Sequence, residues 1–284
     1  MATTIANVGQ WISGGFAEVQ YSISSSGRPY NSATLTATNI SGMTVLKGAK
    51  TANIQIPQAE ILQIPGDDGV RGVLQFPGNA LPTFDMVFSD ITTSFVNALQ
   101  GTTAVDAQSI YEWLVLDPAN RAFPDIFLML TRRSVSTEAG STGNGYDTIV
   151  FPQSTVSFAG ASGYSTGANA GEFTFNVTVN RTSILPWGTA LSTGTHGTTG
   201  ASGFMFWSQS VPTFDVAIKD GIITSWTLTK TYSSTAQALG WKTVSGTTST
   251  DAVTEDAPNN QVDSVSAGAS GDILTVLYEK VTGG

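Results

Sequence analysis

The chain has 284 residues and a mass of 29.6 kDa, and 12 Lys and Arg against 21 Asp and Glu give a net charge of −9. Hydrophobic residues at 40% and aromatics at 10% are enough to fill a core, so the low charged fraction of 12% marks an uncharged surface and not a disordered chain. Cys is absent and His occurs once, which excludes a disulfide scaffold, a thiolate nucleophile and the usual structural zinc site.

Ser and Thr number 30 and 39, and with 30 Gly they disfavour helical bundles and favour β structure. The first ten residues have neither a basic stretch nor an apolar run, so they do not read as a secretory signal. No stretch reaches the roughly 18 consecutive apolar residues of a membrane-spanning helix. A low-charge, Thr-rich protein of this kind is expected to assemble in the cytoplasm into a particle released by lysis, with no membrane anchor. Trp11 stands in an otherwise light N-terminal segment and is expected to anchor that arm to a neighbouring subunit.

Strand is expected from Thr51 to Ile64, followed by turn chemistry at Pro65-Gly66-Asp67-Asp68-Gly69. Period-two alternation then runs from Val70 to Phe76, with Val70, Leu74 and Phe76 on one parity and Arg71 and Gln75 on the other. It recurs from Phe84 to Phe88, with Phe84, Met86 and Phe88 opposite Asp85. One helix is predicted next. Ser89 or Asp90 caps it, Ile91, Phe95, Ala98 and Leu99 form its apolar stripe, and Gly101 ends it. Further strands are expected at Asp125 to Thr131, Thr148 to Phe151 and Thr155 to Phe158. The strongest pattern is Glu172 to Asn180, where every odd position is apolar and every even one polar.

Three segments rich in Gly, Ser and Thr, at Ser134 to Asp147, Gly160 to Gly171 and Ser192 to Gly203, are expected to be long loops. Loops of about twelve residues are uncommon in compact domains unless they bind something, so these read as arms reaching from a rigid sheet. The chain divides on this reading into a β-domain at 1–202 and a small C-terminal β unit at 203–284. The second unit should open with a hairpin, Phe214 to Ile218 and Ile222 to Thr229 about a Lys219-Asp220-Gly221 turn. An acidic surface loop, Asp251 to Ser264, and an apolar closing strand, Asp272 to Val281, complete it.

Little catalytic chemistry is visible. There is no phosphate-binding Gly-x-x-x-x-Gly-Lys-Ser/Thr and no Gly-x-Ser-x-Gly elbow. His196 lies in a Gly/Thr run composed as a solvated loop. The carboxylate pairs Asp67-Asp68, Glu112 with Asp117, and Glu255-Asp256 would suit glycoside hydrolysis only if folding brought two acids to the right separation. The six Trp would suit glycan stacking, but Trp113, Trp187, Trp207, Trp226 and Trp241 sit in apolar surroundings that read as core or interface. Arg132-Arg133 is the one adjacent basic pair, too little to hold DNA tightly, whereas an acidic protein with a wall of Asn, Gln and Thr suits a conduit through which DNA must slide. No catalytic residue, metal or cofactor is assigned.

In order and character the chain resembles the tail tube, or major tail, proteins of tailed bacteriophages. The likeness runs over about residues 1–200: Ile-Pro-x-x-x-Ile-Leu-x-Ile from Ile56, the acidic turn Gly66-Asp67-Asp68-Gly69, strands ending at Phe76 and Phe88, one helix, then the strands Tyr146 to Phe151, Gln153 to Ala159 and Glu172 to Asn180. The resemblance implies a mainly β fold, a β-sandwich or barrel-like tail tube domain with one packed helix, plus the smaller C-terminal β-domain displayed outside. It implies homo-oligomeric rings, usually hexameric, stacked into a tube in the virion tail. Partners would be copies of itself, terminator and baseplate proteins, sheath where the tail contracts, and DNA in transient, non-specific passage. Asn53, Gln55, Gln63 and Gln75 would line the channel. Trp11, Asp67 and Asp68 would make contacts between subunits or rings. Arg71, a cation on that face, would need Glu60 or Asp85 as partner. Two other classes remain open at this stage, a virion decoration or glycan-binding β-protein and a carboxylate-dependent glycoside hydrolase.

Overall fold

A computed structural model describes residues 11–24, 40–54, 60–66, 69–76, 81–92, 95–96, 99, 105–106, 112–113, 124–136, 144–162, 171–182, 206–208, 211–233, 238–245 and 247–281. Within them the protein is mainly β, in antiparallel sheets. Numbered in chain order, the strands of the largest sheet run β3 (Thr44–Leu46), β1 (Trp11–Ser24), β10 (Asp125–Ser136), β11 (Asn144–Ser162), β12 (Glu172–Val179), β7 (Thr83–Phe88) and β4 (Ala49–Ala52), with β13 (Phe206–Ser208) also paired to β11. A second sheet runs β17 (Thr247–Asp251), β16 (Leu239–Val244), β20 (Ile273–Glu279), β14 (Pro212–Ile218) and β2 (Ile40–Gly42). A third has β15 (Ser225–Thr227), β19 (Gln261–Ser264) and β18 (Val253–Asp256). The pairs β5 (Glu60–Gly66) with β6 (Gly69–Phe76), and β8 (Val105–Asp106) with β9 (Glu112–Trp113), form separate two-stranded sheets.

Alternation dictates which face of the large sheet is buried. Phe84, Met86 and Phe88 in β7, and Phe175, Val177 and Val179 in β12, are buried while Asp85, Asn176 and Thr178 are exposed, as the period-two patterns predict. The sheet curls until its edge strands meet: β3 and β4 are joined through Lys47-Gly48, and β1 approaches β4. Gly48 takes φ +81, a conformation that suits glycine, and its carbonyl accepts from both Ser89 N (2.8 Å) and Ser89 Oγ (3.2 Å). That fastens the turn to the end of β7.

Inside the curl, helical backbone at Phe95, Val96 and Leu99 presents three buried side chains to the sheet. Phe95 stacks against Phe175 (5.3 Å between ring centroids) and Tyr21 (4.9 Å), and Phe88 against Phe175 (5.7 Å). Burying each such ring contributes about 1.5–3 kcal/mol. The cap differs from expectation. Thr92 Oγ1 accepts from Phe95 N at 3.3 Å and Thr92 O from Phe95 N and Val96 N, so Thr92, three residues before Phe95, starts this turn in place of Ser89 or Asp90. Ala98 and Gly101 lie outside the described residues.

Thr148 to Phe151 and Thr155 to Phe158 are one strand, not two. In β11 the register against β10 passes from Phe151↔Leu128 to Ser154↔Ile126, which leaves one extra residue on β11. Pro152, lacking an N–H, sits in that bulge. The extra residue flips the parity, so Ile149 and Phe151 before it and Val156 and Phe158 after it all pack on the same core. The expected loop from Ser134 to Asp147 is likewise shortened, since β10 continues to Ser136 and β11 begins at Asn144. Strand within 51–64 is interrupted, β4 ending at Ala52 and β5 starting at Glu60.

The other face of the large sheet packs on the second sheet through Phe127, Met129 and Val150 against Phe214 and Val216. Gln20 is fully buried at this junction, accepting from Thr213 Oγ1 (3.0 Å) and donating to the Pro212 carbonyl (3.4 Å). Lys280 Nζ reaches Glu18 at 2.7 Å. The chain itself crosses over, for β2 pairs with β14 while β3, one residue later, pairs with β1. The opposite face of the second sheet, with Ala217, Leu274, Val276 and Tyr278, covers Trp226 and Val262 of the third.

Two expectations about the C-terminal region are corrected. Phe214 to Thr229 is not a hairpin, because β14 pairs with β2 and β20 while β15 pairs with β19. Asp220 Oδ1 accepts from Ile222 N and Ile223 N, both at 2.7 Å, and with Gly221 at φ +84 sends the chain into the other sheet. Asp251 to Ser264 is not a surface loop either: β18 and β19 form a hairpin about a 3-10 turn, Ala257–Asn259, with Val262 buried.

Candidate functional site

The outer face of β12, β7, β4 and the second half of β11 faces solvent. Its cross-strand positions are Ser157↔Asn176↔Asp85 and Thr155↔Thr178↔Thr83, with Thr51 opposite Val87 at the edge. Asn176, Thr178, Thr83, Asp85 and Thr51 are exposed. Asn180 Nδ2 donates to Thr155 Oγ1 at 3.4 Å. Among the described residues of these strands the charges are Asp85 and, at the rim, Lys50 and Glu172, which pair at 3.0 Å. Among its described residues such a surface offers short hydroxyls and amides with the half-buried Val87 between them, and no cation cluster. The aromatic core behind it makes it rigid.

The sequence-predicted channel residues are distributed over different parts of the fold. Asn53 is exposed, one residue beyond β4. Gln63 stands opposite Val73 and Gln75 opposite Ile61 in the β5–β6 hairpin, a sheet of its own. Gln55 lies outside the described residues. Arg71 falls at the irregularity between the Gly72 and Val70 pairs. Of the contact residues, Trp11 opens β1 opposite Ser136. Asp67 and Asp68, between the paired Gly66 and Gly69, lie outside the described residues. The face on β7 and β12 was present in the sequence as the polar parity of 172–180 and as Asp85; Thr155 and Ser157 were hidden by the Pro152 bulge.

The candidate acids do not form a site among the described residues. Glu112 in β9 pairs with Asp106, and Asp117 lies outside the described residues, as does His196. Glu255 Oε1 accepts from Ala238 N at 2.5 Å, while Asp256 accepts from Asn259 Nδ2 at 2.7 Å, so each is engaged locally. Trp226 is 4% exposed and belongs to the core of the C-terminal sheets. No group of three or more His, Asp or Glu suited to a metal ion occurs among the described residues. No helix among them is long and apolar enough to cross a membrane.

Buried ionisable groups concentrate instead in the C-terminal sheets. Asp215 accepts from Thr229 N (2.6 Å), Thr229 Oγ1 and Tyr278 OH (2.9 Å). Burial pushes its carboxyl above the usual range, against the lowering effect of those bonds, and burial together with the Asp215 charge pushes the Tyr278 phenol up. Gly42 of β2 lies directly over Asp215 and Thr229, where a Cβ would collide with both side chains. Asp220 is held below the usual carboxylate range by the N–H groups of Ile223 and Ile222.

Compared with protein-family models and with curated proteins, the chain matches none.

Proposed function

We propose that the chain is a structural subunit that assembles with copies of itself into stacked rings around a bore, in the manner of a phage tail tube, and has no catalytic role. The observation that supports this reading best is the solvent-facing wall on β11, β12, β7 and β4. It is hydrophilic and nearly uncharged, and it is backed by an aromatic core. In a bore, that wall offers DNA phosphates no cluster of cations, its described cation Lys50 being paired with Glu172 at the rim, and a net charge of −9 per copy repels them. Asn176, Thr178 and Thr83 then join Asn53 as the lining, with Gln55, Gln63 and Gln75 on the adjoining segment. The arm formed by the start of β1, the end of β10 and the start of β11, with Trp11 at its tip, reaches a neighbour. The β5–β6 turn at Asp67 and Asp68 meets the next ring. The second and third sheets lie outside the tube, and terminator, baseplate or sheath proteins bind the finished assembly in the virion.

Electron microscopy of the purified full chain tests this. Rings or tubes whose reconstruction turns Asn176 and Thr178 toward the bore are the expected result. A species that stays monomeric by analytical ultracentrifugation at high concentration, or rings with that face on the periphery, overturns the reading.

A further inference from the structure

Lys219 is fully enclosed, with a side chain 0% exposed. Its Nζ lies 2.6 Å from Asp251 Oδ2, 2.9 Å from Ser264 Oγ and 2.8 Å from the Ser266 carbonyl. Trp226 covers it from one side, its ring centroid 5.6 Å from Nζ. Gly268, at φ +69, closes the other side so tightly that a Cβ would stand 2.6 Å from Lys219 Cδ. Asp272, 7% exposed, lies along the same stem with Oδ2 taken by Ala269 N. An amine and a carboxyl are thus held in contact, away from water, on segments 32 positions apart in the chain.

We propose that Lys219 and Asp251 condense into an internal amide, an isopeptide cross-link between the end of β14 and the end of β17. Ser264 is placed to move the proton, since its Oγ accepts from Lys219 Nζ at 2.9 Å and donates to Asp251 Oδ2 at 2.9 Å. A proton passes from the ammonium to the carboxylate along this path, giving a neutral amine beside a neutral acid. The nitrogen lone pair attacks Cγ, the C–N bond forms, and the Cγ–Oδ2 bond breaks. Oδ2 leaves as water, carrying the acid proton and one further proton from the nitrogen. Ammonium plus carboxylate therefore become amide plus one water, with no oxidant or co-reactant. Contact geometry supplies the effective concentration. Removing two charges from the interior also removes the cost of keeping them desolvated, so the enclosure favours the product. Ser264 is the catalytic residue of this step, in direct contact with both reacting groups, and Trp226 and Gly268 exclude water from it.

Intact-mass spectrometry of the full chain, purified and then denatured, decides the matter. The expected mass is lower than the sequence mass by one water, and digestion yields one branched peptide joined through Lys219 and Asp251. Lys219→Arg and Asp251→Ala should restore the full sequence mass, Asp251→Asn should lose one ammonia instead, and Ser264→Ala should slow the mass change in freshly made protein. A wild-type chain that keeps its full sequence mass after prolonged storage in the folded state overturns the proposal, as does a lost water mapped to any other pair. The wild-type measurement stands even if a variant fails to fold, and it does not depend on the assembly reading.

Discussion

The two ends of this molecule build their interiors differently. The inside of the curled sheet packs aromatic on aromatic, with Phe175 touching Phe88, Phe95 and Phe158, while its polar side chains stand on the outer face or, as with Gln20, at the junction with the second sheet. The C-terminal sheets bring polar groups inside: Asp215 with Thr229 and Tyr278, and Lys219 with Asp251 and Ser264. An aromatic core is non-directional and tolerates small shifts, whereas a buried polar network holds only if every bond is made. The first region should therefore lose stability in proportion to volume removed, and the second through single hydrogen bonds.

The largest effect is expected at Phe175, whose ring touches Phe88, Phe95 and Phe158. Phe175→Ala should cost about 3–5 kcal/mol in urea unfolding; a loss below 1 kcal/mol would show that the curled sheet does not rely on this cluster. In the C-terminal sheets, Asp215→Asn removes one acceptor and turns an NH2 toward donors, for a loss of about 1–3 kcal/mol at neutral pH. Because burial raises the Asp215 pKa in the folded state, protonation favours folding. The wild type thus gains stability over the variant as pH falls through the raised folded value, the gain being complete below the ordinary aspartate value and lost on the way back up. Urea midpoints of both proteins across the acid range check the sign, and a gap that widens as pH rises would contradict it. The smallest effect is expected at the rim, where Lys50 and Glu172 are 36% and 44% exposed. Lys50→Ala should change stability by about 0–1 kcal/mol, less at high salt.

The same contrast governs what could be read from the residues alone. Where one face is apolar, as in Glu172 to Asn180 or Phe84 to Phe88, alternation specifies strand and burial together. The bulge at Pro152 was harder, because an extra residue reverses parity and one strand then reads as two. In the C-terminal sheets the pattern misleads for a physical reason. Lys219 and Asp251 read as surface charges, yet they turn inward and satisfy each other, and Asp220 redirects the chain where a hairpin was expected. The outer polar face was legible strand by strand; which strands adjoin, and so how far the surface extends, depended on long-range pairing that no local spacing encodes.

Met43 stands between β2 in one sheet and β3 in another, 2% exposed in the layer they share. A one-residue link spans only about two Cα steps of 3.8 Å each, so neither sheet can slide past the other without tearing ladder bonds on both. A tug on the C-terminal sheets is consequently handed straight to the curled body as shear along β1, and the two sheets that Met43 links answer mechanical load as one stitched unit.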